Sequence, residues 1–147
     1  MLPKPTALPI TAERSPSGAQ EFVKYWFDAL NYATQTGDVA PLRDASAPGC
    51  SACADLVASV RNSYGDGGYL QGGAFKVRSV TAEEFSLEDR PVLDVSFDRT
   101  SRAGIAPDGQ VRDSQPAASF VSCSITLAWT GNHWKVSIVS GELLPRS

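Results

Sequence analysis

The chain has 147 residues, a net charge of −3 at pH 7 and a pI near 5.1, with 42% hydrophobic and 20% charged residues. These values are typical of one folded domain without the basic excess that contacts phosphate, so nucleic acid is excluded as an expected partner. The sequence contains no apolar run of about 18 residues, which is the length that a transmembrane helix needs. The start also lacks the apolar core of a signal peptide, so either the protein is cytoplasmic or Met1 follows a removed leader.

Prolines dominate the beginning of the chain, where Pro3, Pro5, Pro9 and Pro16 fall close together. Proline at this density predicts an extended chain that acts as a spacer. We therefore expect a flexible linker over residues 1–16 and a single domain over residues 17–144. Such a spacer is typical of a protein held off a surface, although a frayed terminus would show the same pattern.

The first predicted helix follows the prolines. Apolar residues recur at helical spacing over residues 19–33 and form a wide stripe. The helix would begin at Ser15 or Ser17, since Ser17 and Gln20 match a capping box, and it would end at Gly37. The opposite, polar side carries Gln20, Lys24, Asp28, Asn31 and Gln35.

Two more helices are expected before the pattern changes. Asp38 can cap a short helix over residues 39–45, which Pro48 and Gly49 would end. A longer helix should run from about residue 51 to residue 64. The sequence GDGGYLQGG, residues 65–73, then predicts a helix stop and a loose turn.

From residue 75 onward the hydrophobic period is that of strands. Apolar and polar residues alternate over residues 75–78 and, more clearly, over residues 93–98. The sequence APDGQ, residues 106–110, has the composition of a turn and is expected to join the second of these strands to the next one. Helices followed by strands predict an α+β fold, with three N-terminal helices packed on a curved antiparallel sheet.

The sharpest pattern is the sequence FVSCSITLAWTGNHWKVSIV, residues 120–139, which predicts a hairpin turning at Gly131 and Asn132. Its register sets three pairs opposite one another on a buried face that also holds Cys123. The pairs are Trp129 with Trp134, Leu127 with Val136, and Ile125 with Ile138.

Cys50 and Cys53, in the sequence APGCSACADL, allow three interpretations. A redox pair would use a helix N-terminus to lower a thiol pKa, but thioredoxin-like motifs follow a strand, and none is predicted here. A zinc site would need Cys123 and His133, which the hairpin register sets far apart on different faces. A structural disulfide, which we favour, would fix the turn between the last two helices and implies an oxidising compartment. Cys123 is expected to be a buried free thiol.

Few other residues suggest chemistry. His133 is the only histidine and is expected to be exposed beside the hairpin turn. No nucleophile elbow, phosphate loop or dinucleotide fingerprint occurs, so we expect no catalytic residue, cofactor or metal. Four aromatic residues are named as candidate pocket lining, although at this spacing such residues usually form the core: Phe22, Trp26, Trp129 and Trp134.

The segments TGDVAPL, APGCSAC and TLAWTGNHWKV, within residues 17–140, resemble a domain of lipid-anchored envelope proteins of actinobacteria whose function is not established. The order of elements is similar to the nuclear transport factor 2-like (SnoaL-like, cystatin-like) α+β cone. The resemblance implies export through a lipoprotein leader, a tether before the domain and a paired Cys50–Cys53. It implies no catalytic residue.

The first hypothesis is therefore a non-enzymatic, extracellular cell-envelope domain that binds an envelope protein partner, or a small apolar ligand in the mouth of the cone. The alternative is a small SnoaL-like enzyme that uses a cavity carboxylate or tyrosine, with Asp28, Tyr25 and Tyr32 as candidates. A spacer module without any ligand is a third reading. A cytoplasmic location remains the alternative to a lipid-anchored one.

Overall fold

The structure is a computed structural model that describes residues 3–83, 90–141 and 143. Within this part of the chain three α-helices precede seven strands, and every strand pairing is antiparallel, so the predicted α+β class is confirmed. The elements are α1 (Pro16–Thr36), α2 (Ala40–Asp44), α3 (Ser51–Tyr64), β1 (Tyr69–Gly72), β2 (Phe75–Ala82), β3 (Val92–Arg99), β4 (Arg102–Ile105), β5 (Val111–Gln115), β6 (Ala118–Trp129) and β7 (Trp134–Gly141).

Local signals set both ends of α1. The Ser15 side chain accepts a hydrogen bond from the Gly18 N–H, and Pro16 occupies the first turn. Gly37 ends the helix with a φ of 82°, a left-handed conformation that suits glycine. The capping box predicted at Ser17 does not form, because Ser15 is already the cap.

The strands form two sheets where one was predicted. One sheet has the order β1-β4-β5 and the other the order β2-β3-β6-β7. The predicted loose turn at residues 65–73 contains β1, and the turn at residues 106–110 joins β4 to β5. Both of those expectations were wrong, because β1 and β4 are short and acquire their hydrogen bonds from each other, across a long sequence separation.

The polar side of α1 lies partly against strand edges. Asn31 exchanges two hydrogen bonds with the backbone of Phe75, at 2.8 and 2.9 Å. The side-chain amides of Gln20 and Gln35 donate to the carbonyls of Val80 and Gly72. Three amide side chains thus satisfy backbone groups that neighbouring strands leave open, which docks the helix and protects the edge of β2.

Aromatic and aliphatic side chains fill the space between the helices and the inner face of the four-stranded sheet. The rings of Trp26 and Phe27 meet edge to face at 5.2 Å, and those of Phe75 and Phe97 at 5.4 Å. Trp26 and Phe97 have no exposed surface. The core therefore fills the space between the helices and the sheet.

The β6–β7 hairpin keeps the predicted register near its turn and loses it beyond. Trp129 pairs with Trp134, as predicted, and their rings meet edge to face at 4.9 Å. A bulge at Ser137 then shifts the pairing, so that Val139 lies opposite Ile125. The predicted inward position of Ile138 is wrong, because the extra residue turns it outward, where it is 53% exposed.

The segment before α1 packs against the domain. Pro9–Ala12 forms a 3-10 helix in which Thr11 is buried, and the indole N–H of Trp134 donates to the carbonyl of Glu13 at 2.9 Å. This differs from the flexible linker predicted over residues 1–16. The physical reason is that a buried tryptophan N–H needs an acceptor, which this segment supplies.

Candidate functional site: a groove beside the Cys50–Cys53 disulfide

The connection between α2 and α3 lies along the outer edge of β7. The Val136 N–H donates to the carbonyl of Ala45, and the Ala47 N–H donates to the carbonyl of Val136. Between them Ser46 accepts from the indole N–H of Trp26 at 3.1 Å and donates to the carbonyl of Leu42 at 2.7 Å. Backbone pairing and a buried hydroxyl together hold this connection on the sheet and on α1.

A disulfide closes the connection at the start of α3. Cys50 and Cys53 are bonded, with Cα atoms 5.2 Å apart, and both residues are 2% exposed. The Cys50 sulfur also accepts from the Cys53 N–H at the helix N-terminus. The favoured interpretation of the two cysteines as a disulfide is confirmed. It joins the turn after α2 to the first turn of α3.

A groove of about 680 Å³ runs beside this disulfide, between α2, α3 and β7. Small apolar groups form its floor, and several of them lie on one side of α3. Two arginines and a lysine stand around it. The floor comprises Ala47, Pro48, Cys50, Cys53, Ala54, Val57 and Ala58, and the basic residues are Arg43, Arg61 and Lys135.

The groove carries positive charge on an acidic protein. Within the described residues, Arg43, Arg61 and Lys135 make no side-chain hydrogen bond and no ion pair, and Asp44 is the acidic residue in the lining. Three cations against one carboxylate contrast with the chain's net charge of −3. Unpaired cations around an apolar surface attract an anionic group that has an apolar body.

Sequence reasoning missed these three cations. They come from a short helix, a long helix and a strand, so no local pattern links them. The one available signal was weak: neither Arg43 nor Arg61 has an acidic residue three or four positions away to pair with on its helix. Their convergence depends on how α2, α3 and β7 pack.

The four aromatic residues named as candidate pocket lining lie in the core or against it. Phe22, Trp26 and Trp134 are buried, and Trp129 packs against them from a half-buried position. None of the four lines the groove. Trp26 nevertheless supports it from beneath, through its hydrogen bond to Ser46.

None of the three candidates for the enzymatic alternative lines the groove, although Tyr25 lies near Asp44, which does. Burial raises the pKa of Tyr25, and the nearby charges of Asp44 and Asp28 raise it further. Burial also raises the pKa of the Asp28 carboxyl, although that side chain remains exposed. Tyr32 is half-buried. A tyrosine with a raised pKa keeps its proton, which makes it a poor base or nucleophile.

The free thiol and the imidazole of the described residues lie in different environments. Cys123 is a buried free thiol whose pKa burial raises to about 12, whereas His133 is exposed beside the hairpin turn, as expected. In the described ranges no set of three histidine, cysteine, aspartate or glutamate residues is placed to hold a metal ion. No helix there is both long and apolar enough to cross a membrane.

Comparisons with known proteins give a match to one family and several solved structures with a similar fold. A model of a family of unknown function matches residues 2–140. No curated protein sequence matches the chain. Among solved structures, a protein from Novosphingobium aromaticivorans that is proposed to be an aromatic ring hydroxylase superimposes with a TM-score of 0.58 at 14% identity, over 90% of this chain and 94% of that one.

Two further structures match at the same identity with lower TM-scores. The intermembrane space region of the chloroplast protein ARC6 has a TM-score of 0.54 at 14% identity, over 87% of this chain and 98% of that one. A protein of the NTF2-like family from Streptomyces avermitilis, proposed to be a dehydratase, has a TM-score of 0.50 at 14% identity, over 82% and 92% of the two chains. At such identity the likeness shows the NTF2-like fold alone.

Proposed function

We propose that this chain, which belongs to the family of unknown function DUF6318, is a non-enzymatic binding domain that holds an acidic segment of a protein partner in the disulfide groove. The observation that carries the proposal is the set of three unpaired cations, Arg43, Arg61 and Lys135, around a floor of small apolar groups. Cations of this kind give electrostatic complementarity to carboxylates and accelerate encounter with them.

The shape of the groove favours a chain segment over an enclosed small molecule. Pro48, Ala54 and Ala58 are exposed, so the floor is open to solvent along its length. Small-molecule sites usually enclose most of the ligand surface, which an open groove does not do. A segment with aspartate or glutamate beside small apolar residues would satisfy both the floor and the cations.

The proposed location is the cell envelope, with a lipid anchor ahead of the domain. One observation supports export: a buried disulfide, which is typical of oxidising compartments. Fractionation of native cells after rapid thiol alkylation tests this. The protein should appear in the envelope fraction with Cys50 and Cys53 resistant to alkylation, and recovery in the cytosol with free thiols would contradict the proposal.

The enzymatic alternative has less support. Tyr25, Asp28 and Tyr32 do not converge on the groove, and the raised pKa of Tyr25 opposes its use as a base. Similarity to proteins proposed to be a hydroxylase and a dehydratase is at 14% identity, which carries no activity over. An enzyme needs catalytic groups that converge on one site, whereas a binding domain needs only a complementary surface such as the groove.

Fluorescence anisotropy with a labelled peptide that alternates glutamate with alanine and leucine tests the groove. The variant R43E/R61E/K135E should weaken the wild-type affinity at least about tenfold, because reversing three charges turns attraction into repulsion. Affinity should also fall as salt is added.

The matched control is Lys76→Glu, which reverses an exposed cation on β2, the strand at the opposite edge of the sheet from β7. This variant should bind the acidic peptide as the wild type does. A peptide that carries lysine in place of glutamate should not bind to either protein. Absence of wild-type binding, or an equal loss in the Lys76→Glu variant, would contradict the proposed function.

A further inference from the structure

The outer face of the four-stranded sheet, which points away from the helices, carries a second cleft of about 500 Å³. Its lining combines hydroxyl side chains and the carboxylate of Asp94 with Val95, Cys123 and Gly141, and the Glu83 carboxylate lies 3.5 Å from the Ser124 hydroxyl. Hydroxyl side chains from all four strands line it: Ser79, Thr81, Ser96, Ser122, Ser124 and Ser140.

Strand pairing arranges these hydroxyls in rows. Ser79 pairs with Ser96, which in turn pairs with Ser122. The next row contains Asp94 and Ser124, two positions away on the same strands. Neighbouring strands lie about 4.8 Å apart and alternate residues on one strand about 7 Å apart, so the face is a grid of groups that both donate and accept hydrogen bonds.

An exposed aromatic ring stands at one end of this grid. Phe120 is 68% exposed and has a φ of 55°, a conformation that bulky side chains rarely adopt. Its N–H donates to the carboxylate of Asp98 at 3.0 Å. Because Ser122 is two residues further along β6, the ring lies about 7 Å along the strand from the nearest hydroxyl row.

Two bulges place this ring. Arg78 is the extra residue where the β2–β3 pairing shifts, beside Phe97 and Ser96, and Phe120 lies where the β3–β6 pairing shifts, opposite Asp98. The Arg78 guanidinium donates to Asp98 at 2.7 Å and lies 3.9 Å from the centre of the Phe120 ring. One face of the ring is thus held by a cation, while most of the ring remains in contact with solvent.

We propose that this outer face binds a glycan chain, with one sugar ring stacked on Phe120 and its hydroxyl groups bonded along the rows that begin at Ser122 and Ser124. A sugar ring offers a patch of C–H groups, which packs on an aromatic face, and a rim of hydroxyls, which pair with carboxylates and serine hydroxyls. The outer face supplies both kinds of group at adjacent positions.

Other occupants fit this surface less well. A second copy of the chain or another protein would need an apolar centre, whereas the centre of the outer face is a grid of hydroxyls. Nucleic acid would need a cationic surface, whereas Asp94 and Asp98 offset Arg78 and Lys76. A neutral polyhydroxylated chain meets no such mismatch.

Affinity electrophoresis tests the proposal directly, with native gels that contain β-glucan, mannan, arabinan or galactan. The wild-type protein should be retarded by at least one of these polysaccharides, and Phe120→Ala should weaken retardation at least about fivefold, the equivalent of one stacking contact. Phe120→Tyr should retain it, because the ring is kept. Asp94→Asn should weaken it without altering the ring.

Two controls separate this inference from the proposed function. Val111→Ala removes an exposed apolar side chain from the other sheet and should leave the retardation unchanged. The groove variant R43E/R61E/K135E should also be retarded normally, since it alters a different surface. Absence of retardation by all four polysaccharides, or equal retardation of a folded Phe120→Ala protein, would overturn the proposal and leave peptide binding in the groove unaffected.

Discussion

The groove beside the disulfide and the outer face of the sheet are built in opposite ways. Three separate elements converge to form the groove, and a covalent bond holds their connection in place. A single sheet forms the outer face, where strand register alone aligns the hydroxyls. One small domain thus presents a cationic surface, formed by packing, and a hydroxyl-rich surface, formed by strand register.

The two regions also differ in what keeps them folded. The groove depends on residues 45–50, which are held by two backbone hydrogen bonds to Val136, the buried Ser46 hydroxyl and the disulfide. The outer face depends on three antiparallel strand pairs. A short connection opens at a lower free energy than a paired sheet, so perturbations should reach the groove first.

Trp134→Ala should have the largest effect and should damage both regions. The side chain is 1% exposed, contacts Trp129 edge to face and donates to Glu13, so its removal leaves a cavity and an unpaired carbonyl. We expect a loss of about 3–5 kcal/mol in the free energy of unfolding, measured by urea titration. The half-buried Trp129→Ala should cost less, and the reverse order would show that the core is centred elsewhere.

The variant C50A/C53A should separate the two regions. The disulfide closes a very short loop, so its loss should lower the free energy of unfolding by about 2 kcal/mol. Peptide binding in the groove should weaken, while retardation by polysaccharide stays as in the wild type. Cys123→Ala is the matched control, because it removes a thiol without touching the connection. Equal losses at both surfaces would contradict the proposed independence.

The buried thiol of Cys123 should make the stability of the protein depend on pH in the alkaline range. Burial raises the pKa of this thiol to about 12, so the native protein should react with a thiol reagent at pH 8 only after denaturation. Between the ordinary thiol pKa and 12 the unfolded chain loses its proton first, so stability should fall as the pH rises through that window. In the Cys123→Ala variant, the free energy of unfolding should fall less over this pH range. An unchanged dependence on pH would show that the tyrosines cause the effect instead.

Asp98→Asn should have the smallest effect and concerns the outer face alone. The hydrogen bond from Arg78 lowers the pKa of this half-buried carboxyl, and the Phe120 N–H lowers it further. A lowered pKa contributes stability that is present above about pH 4 and lost as the pH falls below it. In thermal unfolding between pH 2 and 7, the melting temperature of the wild type should therefore exceed that of the variant only at the higher pH values. A constant difference would show that the charge is not responsible.

Much of the helical layer is determined by the sequence itself. Ser15 and Gly37 set the ends of α1, and helical spacing identifies α3. The context of Cys50 and Cys53 favoured a disulfide over a redox pair or a zinc site, and the structure contains that bond. These signals act between residues a few positions apart, so they do not depend on contacts with distant parts of the chain.

The strands and both candidate surfaces were decided only by tertiary structure. The bulge at Ser137 turned Ile138 outward, and β1 and β4 exist because they pair with each other. Phe120 and Arg78 meet beside Asp98 only because both strands that pair with β3 have a bulge there, and the cations of the groove converge only when α2, α3 and β7 pack. Pairing between distant segments depends on the partner strand as much as on the local residues, and a periodic pattern read along one segment contains no information about that partner.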